Sequence, residues 1–535
     1  MALWISLLLA QSDFSVGGMS KRFGPEGGPP KEKAPLVYLP PDRPCPPARH
    51  NGGMAYQVGG PPKTEAGDFS STQAQVLYAG DAGPGVDRVL LLEMQNNCLS
   101  EKPEPPWWGG FRPEPAVFEW RKKGAAPAAP LAIARGLATW SNHAILLYGN
   151  GWVTTAGTAT SQGSHPVLKL PAGKLPTALA VSPRNELALV TVIDSRKGAQ
   201  LAVIALEACA PGFAHDWHQR YPLFPNQGSF SDLKLLGFID LPLKSASGIS
   251  ASTNNAGGRL SGRDGNVAMA SQLNLDDADT RERLAKDYLS GSGYAVVVSR
   301  EENKAVFVDL QPLLEGVRDA YAARDFSRGE SWPPTFEKKP EWTPVVVADV
   351  EVPRPSSVLA RAAGGEHNRA FLGLEEGEIR SFSVGGLGTN APAKAEDVKP
   401  SGALAVGKNP CWLAVKGAAG GPDCGFIVVS RGERALQWVS FGPQEGKITR
   451  ELRDRRMIDP VYCEIADTHG IEMQLVTVAD FRGRKIINYR CSPVVFATNG
   501  GARYGCGPKG TDEFECGGIL PIPGFPLAVC GTNVN

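Results

Sequence analysis

Residues Pro410–Phe441 read PCWLAVKGAAGGPDCGFIVVSRGERALQWVSF. Three short apolar runs, PCWLAV, GFIVV and ALQWVSF, are separated by a Gly-rich turn and by the polar turn SRGER. Apolar runs of this length, bounded by Gly, Asp and Arg, predict antiparallel strands. Variants of the unit recur along the chain, and self-similarity at a period of tens of residues marks a repeat architecture.

Working outward, the β pattern begins near Gln73 with AQVLYAG, DRVLLLEM and AVFEW. It continues through groups such as PTALAVS, ELALVTVI, AQLAVIAL and DLKLLGFIDL, and ends with PVYCEIA, MQLVTVA, KIINYR and PVVFAT. The middle turns of the groups fall near Asp81, Asn150, Asp194, Ser299, Glu375, Ser430 and Asp480. Four strands in roughly 40 to 50 residues is a propeller-blade pattern. The predicted fold is therefore all-β: a seven-bladed β-propeller of four-stranded antiparallel blades over residues 73–535, with small helical insertions on one face. The first group lacks an opening strand. Phe525–Cys530, FPLAVC, resembles the inner strands PTALAV and PCWLAV. It is expected to complete blade 1 and close the ring, which removes exposed strand edges.

The chain has 535 residues, and its 62 Gly and 45 Pro suit many short strands with tight turns. Its 55 basic and 55 acidic side chains cancel. It thus lacks the electrostatic footprint of a general nucleic-acid binder or of a polybasic membrane anchor. Residues 1–10, MALWISLLLA, form a short apolar segment without a preceding Lys or Arg, an incomplete signal-peptide pattern from which export to the periplasm or cell surface is expected. No later run reaches the roughly 18 apolar residues of a membrane span. Residues 11–72 are Pro- and Gly-rich and read as an arm: either a disordered leader or a segment lying on the body or on a neighbouring subunit, with Leu36–Leu39 a short strand candidate.

Val406-Gly-Lys-Asn-Pro410 followed by Trp412-Leu-Ala-Val415 resembles the VGxxPxxxAV segment of YVTN-type, lactonase-like propeller repeats. Leu175–Arg184, LPTALAVSPR, resembles the same repeat, and VTVI and VTVA stand nearest to its tetrapeptide. The resemblance implies the fold and, often, export. It implies little about activity, because propellers host binding proteins, lactonases and dehydrogenases alike.

Chain direction reverses at every turn, so the A–B and C–D loops of a four-stranded blade share one face. The long segments 98–115, 209–231, 253–291 and 311–342 all fall on that face. Two of them carry helix signals: Asp276–Leu289, with N-capping carboxylates, and Gln311–Arg324, with Pro at its second position. A decorated face on a rigid scaffold is where function is expected.

Candidate chemistry is sparse. Trp107, Trp108, Phe111 and Arg112 form an aromatic loop suited either to a protein interface or to packing on the propeller face. His215, Asp216 and His218 supply HxxH-type metal-ligand spacing without an identifiable third ligand. Asp276, Asp277 and Asp279 offer carboxylates to Ca²⁺, though helix capping explains them better. Arg431, Arg434, Arg482, Arg484 and Lys485 would form a basic patch on the undecorated face. Of the ten cysteines, Cys506 and Cys516 flank a short loop and are disulfide candidates, while Cys411, Cys463 and Cys530 fall on innermost strands as candidate buried thiols. There is no GxSxG elbow or P-loop, and no catalytic residue is assigned. The expected function is a non-enzymatic exported scaffold that binds protein or self-associates through its decorated face and arm. The alternatives are a lactonase-like or other hydrolase with a site at the axial channel mouth, and a carbohydrate or small-ligand binding module.

Overall fold

The computed structural model describes residues 36–38, 69–79, 89–97, 112–113, 130–136, 144–156, 166–183, 186–206, 233–254, 277–323, 332–362, 368–415, 424–442, 445–466, 474–491, 494–497, 503–506, 514–522 and 524–533. They form six four-stranded antiparallel sheets, one five-stranded sheet and a separate two-stranded hairpin. The innermost strands are Pro130–Ala134, Lys174–Val181, Gly248–Thr253, Pro355–Arg361, Pro410–Ala414, Pro460–Ala466 and Phe525–Asn533. They pack side by side in that order, and the last meets the first. The sheets therefore close into a ring around an axis, a β-propeller. Phe525–Asn533 pairs antiparallel with Thr72–Ala79, so the C-terminal strand supplies the inner strand of the first sheet.

Four expectations are corrected. The blades are not uniformly four-stranded: the sheet built on Pro410–Phe441 gains a fifth strand, Leu36–Tyr38, which pairs parallel with Glu451–Arg453 at its outer edge. The first sheet begins at Phe69, inside the span read as arm. Its outer strand is Arg112–Pro113, whereas AVFEW lies outside the described residues. The outer strand of the last blade is Phe514–Pro521, not PVVFAT; Val494–Ala497 instead pairs with Arg503–Cys506 in the separate hairpin. The apolar run VVF satisfies strand pairing with any local partner, so periodicity alone does not choose between them.

Burial within a blade explains its sequence. Second strands are sandwiched by neighbouring sheets on both faces. Gly293–Ser299 is buried at every position, and Leu187–Asp194 at its first six, which is why both read as continuous apolar runs. Outer strands such as Lys399–Ala405 are exposed or half-buried throughout. Six of the innermost strands carry Pro130, Pro176, Pro355, Pro410, Pro460 or Pro526 at a break in the pairing register. Proline has no N–H for the ladder, and the irregularity accommodates it. The strand that has Gly248 instead, Gly248–Thr253, pairs without a break.

The turns between second and third strands repeat one conformation. Gly151, Gly198, Asn303, Gly377, Arg434 and Arg484 each have positive φ. Side chains in or beside several of these turns cap the backbone that leads into an inner strand. Glu302 Oε1 accepts from Lys244 N and Ser245 N at 2.8 and 3.0 Å. Gln437 Oε1 accepts from Gly407 N at 2.9 Å, and the fully buried Asp480 accepts from Ile458 N and Asp459 N.

Two helices decorate the fourth blade. Helix α1 (Ala278–Tyr288) lies between its first and second strands, and helix α2 (Gln311–Ala323) between its third and fourth. Asp277 caps α1, accepting from Thr280 N at 2.9 Å. Helix α2 buries Leu313, Leu314, Val317, Ala320 and Tyr321. The helices pack together, with Arg281 Nε of α1 donating to Ala322 O of α2 at 3.1 Å. Strand order places both helices on one face. Among the described residues the connections on the opposite face are short. Among the described residues no helix is long and apolar enough to cross a membrane.

Candidate functional site

The innermost strands leave a cavity of about 110 Å³ on the ring axis. Its lining comes from the middle and C-terminal parts of these strands, so it sits toward the decorated face. Strand alternation builds it. In Tyr462-Cys463-Glu464 the two outer residues line the cavity, and Cys463 turns away into the core between blades.

The charged groups are Arg135, Arg361 and Glu464, only 7 %, 4 % and 6 % exposed. Arg135 immediately follows the second blade's inner strand, and its Nε donates to Glu464 Oε1 at 3.1 Å past the closing strand that lies between their two blades. Burial pushes the Glu464 carboxyl up to about 7, against the opposing pull of the Arg135 guanidinium. Trp412 stacks on Tyr462 with ring centroids 4.0 Å apart. The Trp412 indole N–H is buried without an acceptor among the described residues. Cys530 is a free, buried thiol on the lining, and desolvation drives its pKa far up, so it stays protonated and unreactive. Among the described residues the cavity holds no second carboxylate to partner Glu464 and no activated nucleophile. It can bind and polarise a small anionic or planar group.

Of the residues singled out in the sequence, Cys530 lines this cavity. Trp107, Trp108, Phe111, His215, Asp216 and His218 are outside the described residues. Arg112 is on the outer strand of the first blade, paired with Leu91. Cys506 is on the hairpin strand, where its backbone pairs with Val494; Cys516 is on an outer strand opposite Tyr489. Of the three Asp residues considered for Ca²⁺, Asp277 uses its carboxylate as the helix cap and Asp276 is outside the described residues. No group of three metal-ligating side chains occurs among the described residues. Cys411 and Cys530 are free thiols, and Cys463 is buried.

Part of the basic patch is drawn into contacts with the body of the ring. Arg431 grips Asp459 through Nε at 2.6 Å and Nη2 at 3.0 Å. Arg482 reaches the same carboxylate at 3.4 Å, and Lys485 pairs with Asp480 at 3.4 Å. Arg484 lies over Phe525, 5.4 Å from the ring centre. Arg431 and Arg484 join adjacent blades and Lys485 pairs within its own blade, while Arg434, Arg482 and Arg484 remain exposed. Arg135, Trp412, Tyr462 and Glu464 went unrecognised in the sequence. The available signal was an ionisable residue inside or just after an otherwise apolar innermost strand, as in PVYCEIA and LAIAR.

No family model and no curated protein matches the chain. Solved propellers do align. The periplasmic gluconolactonase PpgL of Pseudomonas aeruginosa is 11 % identical over 87 % of this chain and 100 % of its own, with a TM-score of 0.43. The β-propeller domain of Cps50 (Swd1) from Myceliophteria thermophila is 7 % identical over 71 % and 96 %, with a TM-score of 0.37. The assignment of the propeller class rests on the sheet order and ring closure of this chain itself.

Proposed function

We propose that the chain is an exported, non-enzymatic propeller scaffold whose working surface is the loop-decorated face, and that it self-associates or binds a protein partner there. On this reading the five-stranded sheet is a blade with an added arm strand, giving a ring of seven blades. The observation that carries the proposal is the placement of both helices of the fourth blade on one face. That face presents a groove of about 800 Å³ at α1 and α2, lined by Glu282, Lys286, Arg318 and Asp319 among others. Mixed charge around a partly apolar floor suits the polar rim of a protein interface. The arm strand Leu36–Tyr38 illustrates how an outer blade edge accepts further chain. The lactonase-like or hydrolase reading draws on one observation, the Glu464 carboxyl held near neutrality in the axial cavity.

Light scattering tests the proposal. The expected mass in solution is a multiple of 56.8 kDa, and charge reversal of the groove by Glu282→Lys with Lys286→Glu lowers it. A monomer at every concentration, hydrolysing a simple lactone in a manner abolished by Glu464→Gln, would replace the scaffold reading with the enzymatic one.

A further inference from the structure

Arg135 enters the axial cavity with most of its hydrogen-bonding capacity unspent. A guanidinium has five N–H donors. Arg135 uses its Nε on Glu464, and has no other protein acceptor among the described residues although its side chain is 3 % exposed. Its terminal amino groups are therefore free to form the planar two-donor fork that matches a carboxylate. The cavity is also lined by Arg361, and Glu464 is the one acidic side chain among its described lining residues. Its remaining wall is largely apolar, from Leu179, Val181, Ile249, Val358, Ala360 and Leu413. A volume of about 110 Å³ is below the roughly 150 Å³ of an apolar cavity that takes up benzene, so the occupant has few heavy atoms.

We propose that the axial cavity is a binding site for a small organic monocarboxylate of the size of acetate to lactate, its carboxylate held by the terminal amino groups of Arg135 and its alkyl end against the aliphatic wall. The site is independent of any interface on the decorated face. A phosphate fits less well, because its extra charge and oxygens would meet an aliphatic wall and the Glu464 carboxyl. The ionisable groups around Glu464 are Arg135, Arg361, Tyr462 and Cys530. Burial holds Tyr462 and Cys530 neutral across the physiological range. A bound carboxylate beside Glu464 disfavours a second negative charge there, so Glu464 is occupied as the neutral acid and donates its O–H to the ligand. Above about pH 7 each binding event then takes up one proton.

Ligand-observed NMR titration of the full chain with sodium acetate, sodium propionate and inorganic phosphate at pH 6 and pH 8 tests this. Expected are saturable binding of acetate and propionate at pH 6, about tenfold weaker affinity at pH 8, and no saturable binding of phosphate. Glu464→Gln is expected to bind at pH 8 as tightly as the unmodified chain does at pH 6, without pH dependence. Arg135→Lys, which keeps the charge but loses the fork, is expected to bind at least about tenfold more weakly. The proposal is overturned by absence of saturable acetate or propionate binding to folded protein at pH 6. Phosphate binding as tight as acetate, or acetate affinity that is the same at both pH values in the unmodified chain, would also overturn it. If Arg135→Lys does not fold, the pH response of Glu464→Gln alone decides.

Discussion

Glu464 ties stability to pH. Its carboxyl is raised from an ordinary value of 4.5 to about 7, chiefly by burial. The folded chain therefore holds its proton more tightly than the unfolded chain does. That contribution is fully present below pH 4.5 and is lost as pH rises through 7. At its upper bound the loss amounts to about 3 kcal/mol, from roughly 1.4 kcal/mol per pKa unit. Glu464→Gln keeps the shape and the acceptor for Arg135 but has no proton to lose. Denaturant titrations should show the two proteins nearly equal at pH 4.5 and the Gln variant more stable at pH 8. A stability difference that does not change between these pH values would show that Glu464 is ordinary in the fold.

At the scale of elements, the recurring turn between second and third strands sets how each blade meets its neighbour. Gly198 has φ +82°, and a Cβ there would stand 2.8 Å from Leu243 O. The same carbonyl accepts from Ala199 N at 2.9 Å, so the neighbouring connection cannot retreat without losing that bond. Gly198→Ala should cost roughly 1–3 kcal/mol, from the left-handed backbone plus the displaced hydrogen bond. The equivalent position of the sixth blade is the exposed Arg434, with φ +52°. There Arg434→Gly should be neutral or stabilising by up to about 1 kcal/mol, because glycine adopts this conformation freely. Thermal melts of the two variants should move in different directions, and a comparable loss in both would refute a shared turn geometry.

For the whole molecule, closure is the decisive feature. Phe525–Asn533 pairs with Thr72–Ala79 and also packs against the inner strands of its neighbours on both sides. A chain ending at Gly524 loses the buried Ala528, Val529 and Cys530 and exposes an unpaired strand edge. The expected loss is on the order of 5 kcal/mol, with aggregation as the visible consequence. Unchanged melting and a monodisperse solution after truncation would mean that the ring does not depend on its last strand.

The sequence by itself determined the repeat, its four-stranded unit, the closing strand and the positions of both helices. Each depends on local periodicity, on Pro and Gly at fixed places, or on a capping carboxylate, all of which act between residues close in the chain. It also marked Cys411, Cys463 and Cys530 as buried-thiol candidates, because innermost strands are recognisable as short apolar runs that open at or next to a Pro. Only the tertiary structure decided that Phe514–Pro521 rather than PVVFAT completes the last blade, that Leu36–Tyr38 adds a fifth strand, and that Arg431 clasps the next blade through Asp459. The axial site also belongs there. Arg135 and Glu464 are 329 residues apart in the chain and meet only when the ring closes, since burial, ion pairing and the raised carboxyl are properties of the space between blades and not of any one of them.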